Sequence, residues 1–132
     1  MNISKYYPAL KGYAPVVIRI GMALVFLWFS INQFMDPKPW IGFLPGFLAS
    51  MSNPVMFVYA NATFEAVFGI LLLLGIWTRW SALLLALHLV GITISVGYTS
   101  VGVRDFGLTF ATFCIAFYGT DKLCLEKIWK KE

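Results

Sequence analysis

Two ionisable side chains, Glu65 and His88, are the residues of this sequence best placed to carry chemistry, because each is set in a long apolar stretch. A charged group at membrane depth costs a few kcal/mol, so such residues normally face the interior of a helix bundle and have partners there. At the rise of an α-helix, Glu65 lies about 18 Å and His88 about 12 Å from the ends of their two helices on the same side of the membrane, the side predicted to be cytoplasmic. We therefore expect them to meet directly or through one water, and to be the best catalytic candidates as a proton-exchanging pair.

Further polar residues recur at helical spacing near these two. Arg19 and Gln33 lie on one face of the first apolar stretch, and Asn61 shares a helical face with Glu65. Together they predict a discontinuous polar ladder inside the protein, suited to a small polar or quinone-like headgroup. The predicted ligand-binding residues are Arg19, Asn61, Glu65, His88, Arg104 and Asp105.

The same residues also have a structural interpretation, which the sequence leaves open. Polar side chains hydrogen-bond membrane helices to one another, and Arg104 with Asp105 would then tie an outer turn to a neighbouring helix. Arg19 stands near the end of an apolar stretch, where an arginine side chain can extend to the lipid headgroups.

Metal and thiol chemistry have little support in the sequence. It has one histidine and two cysteines, Cys114 and Cys124, and it contains neither a CxxC nor a CxxCH motif. We therefore predict no metal site, no covalently bound haem and no thiol relay formed by this chain alone. On the fourth apolar stretch, Cys114 falls on the face opposite the polar residues.

The elements that position these residues are predicted to be membrane-spanning helices. The sequence is 60% apolar and 12% charged, which is outside the range of soluble globular proteins. Four stretches, at about 15–35, 55–77, 81–100 and 105–121, approach the roughly 20 residues that a bilayer requires. The predicted fold is an all-α integral membrane four-helix bundle, with the 132 residues forming a single transmembrane domain.

The segment between the first two spans is predicted to contain a short amphipathic helix at about 40–51. Its apolar residues recur at helical spacing and would form one stripe. Such a helix lies on the membrane surface, where it serves as a lid over the bundle or as a docking surface for a partner. The stripe consists of Trp40, Leu44, Phe47, Leu48 and Met51.

The basic residues predict the orientation in the membrane. One side of the four-span topology carries eight lysines and arginines and the other side carries two. By the positive-inside rule both termini are cytoplasmic, in a multi-pass protein of the cell membrane. These basic residues flank the apolar stretches and do not cluster into a patch large enough to bind a nucleic acid, which argues against nucleic-acid binding. The larger set is Lys5, Lys11, Arg19, Arg79, Lys122, Lys127, Lys130 and Lys131, and the smaller set is Lys38 and Arg104.

Several short segments recur in a characteristic order across the four spans. They are Arg19-Ile20-Gly21, residues 64–69, Gly75, Thr78-Arg79, His88, residues 104–108 and residues 119–122. On these segments the sequence resembles, from about Val16 to Leu125, the DoxX family of small four-helix membrane proteins. This resemblance implies a membrane protein that in some members is associated with quinone-linked oxidation of thiosulfate and in others with redox protection. Where family members usually carry a glycine and a lysine near the end of the first span, this chain has Ser30 and Gln33.

Three functions remain open on this basis, and whether the protein is an enzyme stays undecided. The first is a subunit of a membrane redox complex that binds quinone or a small sulfur oxyanion, with Arg19, Glu65, His88 and Arg104 lining the site. The second is a carrier or pore for a small solute, which would require a homo-oligomer. The third is a scaffold for partner membrane proteins. Quinone is the only cofactor suggested, and the lipid bilayer is the one partner common to all three.

Overall fold

The computed structural model describes residues 3–130, which contain six α-helices and no strand. The all-α prediction is confirmed. Lys131, one of the basic residues counted above, lies outside the described residues. The helices are α1 (Tyr7–Met35), α2 (Gly46–Ala49), α3 (Pro54–Leu74), α4 (Thr78–Val96), α5 (Ser100–Tyr118) and α6 (Leu125–Trp129), with 3-10 helices at Ile3–Lys5 and Lys38–Phe43.

Four of the helices, α1, α3, α4 and α5, are long and apolar enough to cross a membrane. They alternate in direction, and they form two closely packed pairs, α1 with α3 and α4 with α5. One end of the bundle, called here the terminal end, carries residues 3–6, residues 119–130 and the turn at 75–77. The opposite end, the loop end, carries residues 36–53 and the turn at 97–99. The apolar core between the ends consists of Met22, Ala23, Phe26, Leu72, Ala82, Leu85, Leu89, Ile115 and Ala116.

Helix α1 begins at Tyr7, well before the expected start at residue 15. A start at residue 15 would put Pro15 in the first turn, but the structure has Pro8 there and places Pro15 inside the helix. Proline suits the first turn, where its missing N–H has no partner, and an interior proline removes one backbone hydrogen bond. The helix continues through Pro15 and extends beyond the apolar stretch at the terminal end.

Helix α5 also differs from the expectation at both of its ends. The Thr99 hydroxyl accepts a hydrogen bond from the backbone N–H of Gly102 at 3.1 Å, so Thr99 caps the helix, which begins at Ser100 and not at about residue 105. The helix ends at Tyr118 because Gly119 has a positive φ of 85°, which breaks the helical path. Asp121 therefore lies in a turn after the helix instead of continuing it.

Residues 36–53 form two short helical pieces in place of one continuous helix. Pro45, in an extended conformation, separates the 3-10 helix Lys38–Phe43 from α2. This break rotates the apolar stripe, so that Phe47 and Met51 are exposed while Leu44 and Leu48 face the bundle. A position on the membrane surface stays a prediction.

At the terminal end, a buried ion pair joins three parts of the chain. Arg19 is 1% exposed, and its Nε donates to Asp121 Oδ2 at 2.6 Å. Its Nη1 donates to the carbonyl oxygens of Leu72 at 2.9 Å and Leu73 at 2.6 Å, at the end of α3. The guanidinium thus fixes α1 to α3 and to the turn that follows α5.

The Asp121 carboxyl is held in its ionised form. Burial by itself raises the pKa of Asp121, but the hydrogen bond from Arg19, the backbone N–H of Leu123 and the positive charge of Arg19 outweigh it. The pKa of Asp121 consequently lies below its ordinary value of 3.8. Leu123 N donates to Asp121 Oδ1 at 2.9 Å.

The same end is closed by the packing of Cys124 against Gly75. Gly75 has a φ of +72°, and a Cβ at this position would lie 2.6 Å from the Cα of Cys124. The backbone N–H of Glu126 then donates to the Gly75 carbonyl at 3.1 Å. The start of α6 is therefore fixed on the turn between α3 and α4.

We predict that Asp121→Ala lowers the free energy of unfolding by about 3 kcal/mol, because it leaves the Arg19 charge buried without a counterion. Unfolding in detergent, followed by circular dichroism, measures this change. The control is Asp36→Ala, which removes an exposed carboxylate without a side-chain partner among residues 3–130. Equal effects of the two substitutions would contradict the structural role of the pair.

The pH dependence of unfolding provides a second prediction from this pair. Because the folded protein lowers the pKa of Asp121 below 3.8, the pair stabilises the protein fully above that value. The stabilisation is lost as the pH falls through the lower pKa of the folded state. Wild-type protein therefore loses stability in this acid range, and Asp121→Ala shows a smaller loss in the same titration.

Candidate functional site

A cavity of about 460 Å³ opens at the loop end of the bundle. Its walls come from the four long helices and from residues 36–53, and most of the lining side chains are apolar. Its polar lining residues are Gln33, Asn61, Glu65, His88, Ser95, Arg104 and Asp105.

Helical spacing brings the central polar residues into the cavity. Asn61 and Glu65 are four residues apart on α3 and share one face. On α4, His88, Gly91 and Ser95 are separated by three and four residues and face the same space. Asn61 and Glu65 thus share the face that their spacing indicates, and the α4 residues line the same cavity.

The Glu65 carboxylate belongs to a closed hydrogen-bond network with two amides. Gln33 Nε2 donates to Glu65 Oε2 at 2.8 Å, and Asn61 Nδ2 donates to Glu65 Oε1 at 3.2 Å. Asn61 Nδ2 also donates to Gln33 Oε1 at 2.7 Å. Glu65 is only 4% exposed, so the amides replace water as its hydrogen-bond partners.

His88 contacts Glu65 but keeps an unpaired nitrogen. Its Nε2 lies 3.4 Å from Glu65 Oε1, close enough for an ion pair if the ring is protonated. The contact between Nε2 and Oε1 does not have the geometry of a hydrogen bond. Nε2 is therefore buried without a hydrogen-bond partner among residues 3–130. The imidazole packs on the ring of Phe64, with centroids 4.8 Å apart. A buried polar atom in this state is a natural contact for a ligand or a water molecule.

A second polar group lies at the rim of the cavity. Arg104 binds its neighbour Asp105 through Nε and Nη2, at 3.0 Å and 2.9 Å from Oδ1. The Arg104 guanidinium also lies 5.4 Å from the ring centroid of Phe29, in a cation–π contact. Asp105 is buried, whereas the Arg104 side chain is half exposed.

Residues 36–53 contribute part of the cavity wall. Trp40, Leu44 and Leu48 line the cavity, and the Trp40 ring meets Phe29 edge to face with centroids 5.6 Å apart. Of the two roles considered for this segment, this placement is the one expected of a lid.

Five of the six predicted ligand-binding residues line this cavity, and Arg19 does not. Arg19 lies at the terminal end, where its donors are used by Asp121 and the α3 carbonyls. The apolar core residues Met22 and Phe26 stand between it and the polar residues. The predicted ladder is therefore two separate polar clusters.

Gln33 belongs to the site although it was not in the predicted ligand-binding set. Its helical alignment with Arg19 was visible in the sequence, but its hydrogen bonds to Asn61 and Glu65 depend on how α1 packs against α3. The two cysteines are remote from this network. Cys114 is exposed and Cys124 is buried, and both are free thiols.

Cation binding by side chains has no support in the described part of the chain. Residues 3–130 contain no group of three or more histidine, cysteine, aspartate or glutamate side chains placed to hold a metal ion. The site therefore has the character of an apolar cavity with a few hydrogen-bonding groups.

Comparison with known proteins connects this site to a family. The DoxX family matches residues 14–98, which include Gln33, Asn61, Glu65 and His88 and exclude Arg104 and Asp105. No curated protein and no solved structure matches the chain. Since the family match covers more than half of the sequence and four helices are long and apolar enough to span a bilayer, the chain is a multi-pass membrane protein of the DoxX family.

Proposed function

We propose that the cavity at the loop end binds a quinone and that the protein acts as a subunit of a membrane redox system. The observation that carries the proposal is the buried Nε2 of His88, which has no hydrogen-bond partner among residues 3–130 and belongs to a side chain that lines an apolar cavity beside Glu65. A quinone has a flat apolar ring with a carbonyl oxygen at each side. His88 Nε2–H would donate a hydrogen bond to one of these oxygens.

The size and lining of the cavity support this ligand class. Its volume of about 460 Å³ falls within the range of small-molecule sites. Aromatic rings from Phe29, Trp40 and Phe64 surround the polar groups and suit a flat ring. An apolar tail would pass through the open side of the cavity toward lipid.

One of the protons for a bound quinone would come from the Glu65–His88 pair. Reduction of a quinone to a quinol takes up two electrons and two protons. Protonated His88 would pass one proton from Nε2 to a carbonyl oxygen, and water entering through the open side of the cavity would supply the second proton and reprotonate His88. The Glu65 carboxylate, whose Oε1 is 3.4 Å from Nε2, would stabilise the imidazolium, and Gln33 and Asn61 would hold Glu65 in position. The electrons would come from a partner redox protein, so we infer a subunit instead of a complete enzyme.

The charges in the cavity favour a neutral ligand over a sulfur oxyanion. Two carboxylates, Glu65 and Asp105, line the cavity, and the charge of Arg104 is already paired with Asp105. An anion would therefore be repelled more than it would be attracted. The apolar core below the cavity also gives less support to a polar passage for solutes within one chain.

The orientation and assembly form part of the same proposal. With the basic residues at the terminal end, that end would face the cytoplasm and the cavity would open on the outer side of the cell membrane. The redox partner, or a second copy of this chain, would then contact the protein within the bilayer.

We predict that His88→Ala weakens the binding of a short-chain quinone by about threefold to tenfold, the value of one neutral hydrogen bond. Binding is measured in mild detergent with a radiolabelled short-chain quinone, and Glu65→Gln, which removes the carboxylate beside Nε2, is expected to weaken it as well. The control is Ser95→Ala, because the Ser95 hydroxyl lines the cavity but donates to Gly91 in its own helix at 3.0 Å. Absence of saturable binding to the wild type, or wild-type affinity in His88→Ala, would refute the proposal.

We further predict that Gly91→Leu abolishes quinone binding without lowering the unfolding temperature. Gly91 lines the cavity, and a Cβ there would have no heavy atom within 4 Å, so the larger side chain fills the cavity without a clash. The matched control is Gly107→Leu, since Gly107 has the same open space but lies on α5 outside the cavity lining. Retained binding in Gly91→Leu would place any quinone outside this cavity.

A further inference from the structure

The terminal end of the bundle contains a second, smaller cavity of about 220 Å³. It lies where the turn between α3 and α4 meets the segment after α5, and it shares no lining residue with the larger cavity. Its lining residues are Trp77, Arg79, Trp80, Thr120, Glu126 and Lys130.

Arg79 lines this cavity without an acceptor for its N–H groups in the described part of the chain. Its guanidinium lies against Gly119, so a Cβ at Gly119 would require the end of the Arg79 side chain to shift. Among residues 3–130 no carboxylate or carbonyl oxygen accepts a hydrogen bond from Arg79. Glu126, the acidic residue of the cavity, is engaged with Lys130 at 3.2 Å and with the Thr78 N–H at 3.4 Å.

Two tryptophans stand at the edge of this cavity. Trp77 has a φ of +49°, a left-handed conformation that a bulky residue rarely adopts and that often marks a functional site. Trp77 and Trp80 are 65% and 67% exposed. Tryptophans in this position at the end of a membrane-spanning helix lie at the level of the lipid headgroups.

The charge and the neighbouring surface indicate the kind of ligand. Arg79 and Lys130 outnumber Glu126, so the cavity is net positive and favours an anion. From its edge, exposed apolar side chains continue along one face of α4 toward the middle of the bilayer, as an acyl chain would require. They are Trp80, Leu84 and Leu87.

We propose that this cavity binds the phosphate group of an anionic membrane lipid. The guanidinium of Arg79 donates to two phosphate oxygens, an arrangement that arginine favours, and Lys130 and the Thr120 hydroxyl complete the site. One acyl chain lies along Trp80, Leu84 and Leu87. The proposal is independent of the function of the larger cavity.

The test is retention of lipid by the full-length protein in detergent, measured by native mass spectrometry. Phosphatidylglycerol and phosphatidylcholine with identical acyl chains are added separately. We expect the wild type to retain phosphatidylglycerol in preference to phosphatidylcholine, and Arg79→Gln to reduce that retention by about fivefold. Lys127→Gln is the control, because it removes an exposed positive charge at the same end but outside the cavity.

Three results would overturn the proposal. Equal losses in Arg79→Gln and Lys127→Gln would indicate diffuse attraction to basic residues, and unchanged retention in Arg79→Gln would exclude the cavity. Displacement of phosphatidylglycerol by millimolar inorganic phosphate would assign the cavity to a soluble anion instead of a lipid. Arg79 is exposed, and circular dichroism of each variant checks that the fold is unchanged.

Discussion

The ion pair between Arg19 and Asp121 is the contact on which the arrangement of this bundle depends. A guanidinium inside an apolar bundle must have all its charge and hydrogen-bonding capacity satisfied by the protein, because hydrocarbon offers neither. Here the partners come from α3 and from the turn after α5, so satisfying one side chain brings the two helix pairs together. The terminal end is thereby closed, and the position of α1 against α3 is fixed along its length.

Closure at one end leaves the polar residues of the other end available for a ligand. On α1, Gln33 is fourteen residues beyond Arg19, about 21 Å along the helix, and the apolar core fills the interval. Above that core the two helix pairs enclose a cavity instead of packing side chain to side chain. The structure therefore combines a half that is closed by the buried Arg19–Asp121 pair with a half in which Glu65 and His88 border open space.

The sequence predicted the spans and the meeting of Glu65 with His88 because both follow from local information. Apolar length predicts a span, and the energetic cost of a charge in lipid predicts that it turns inward. Helical spacing then aligns each residue with its neighbours on the same helix. The partner of Arg19 could not be predicted this way, since Asp121 is 102 residues away and follows a helix that ends earlier than expected.

The errors at the helix ends have a similar origin. Asp105 has the chemistry of a capping residue, but Thr99 caps α5 and leaves Asp105 in the second turn, paired with Arg104. Pro15 resembles a first-turn proline, although Pro8 takes that place. In both cases two residues have suitable local chemistry, and the spacing along the chain does not decide between them.

Polar side chains with hydrogen-bond partners in the protein and polar side chains without them have different roles in this molecule. Arg19, Gln33 and Asn61 are polar residues in an apolar setting, and each one hydrogen-bonds to a protein acceptor. Had every such group been paired, the polar residues would be explained as contacts between helices. His88 Nε2 breaks that pattern, and the His88 side chain borders the larger cavity. Since burying a polar group without a partner is unfavourable, its persistence points to a partner from outside the chain. The Arg79 guanidinium is exposed, and its N–H groups have no acceptor among residues 3–130, so they are available to an anion at the smaller cavity.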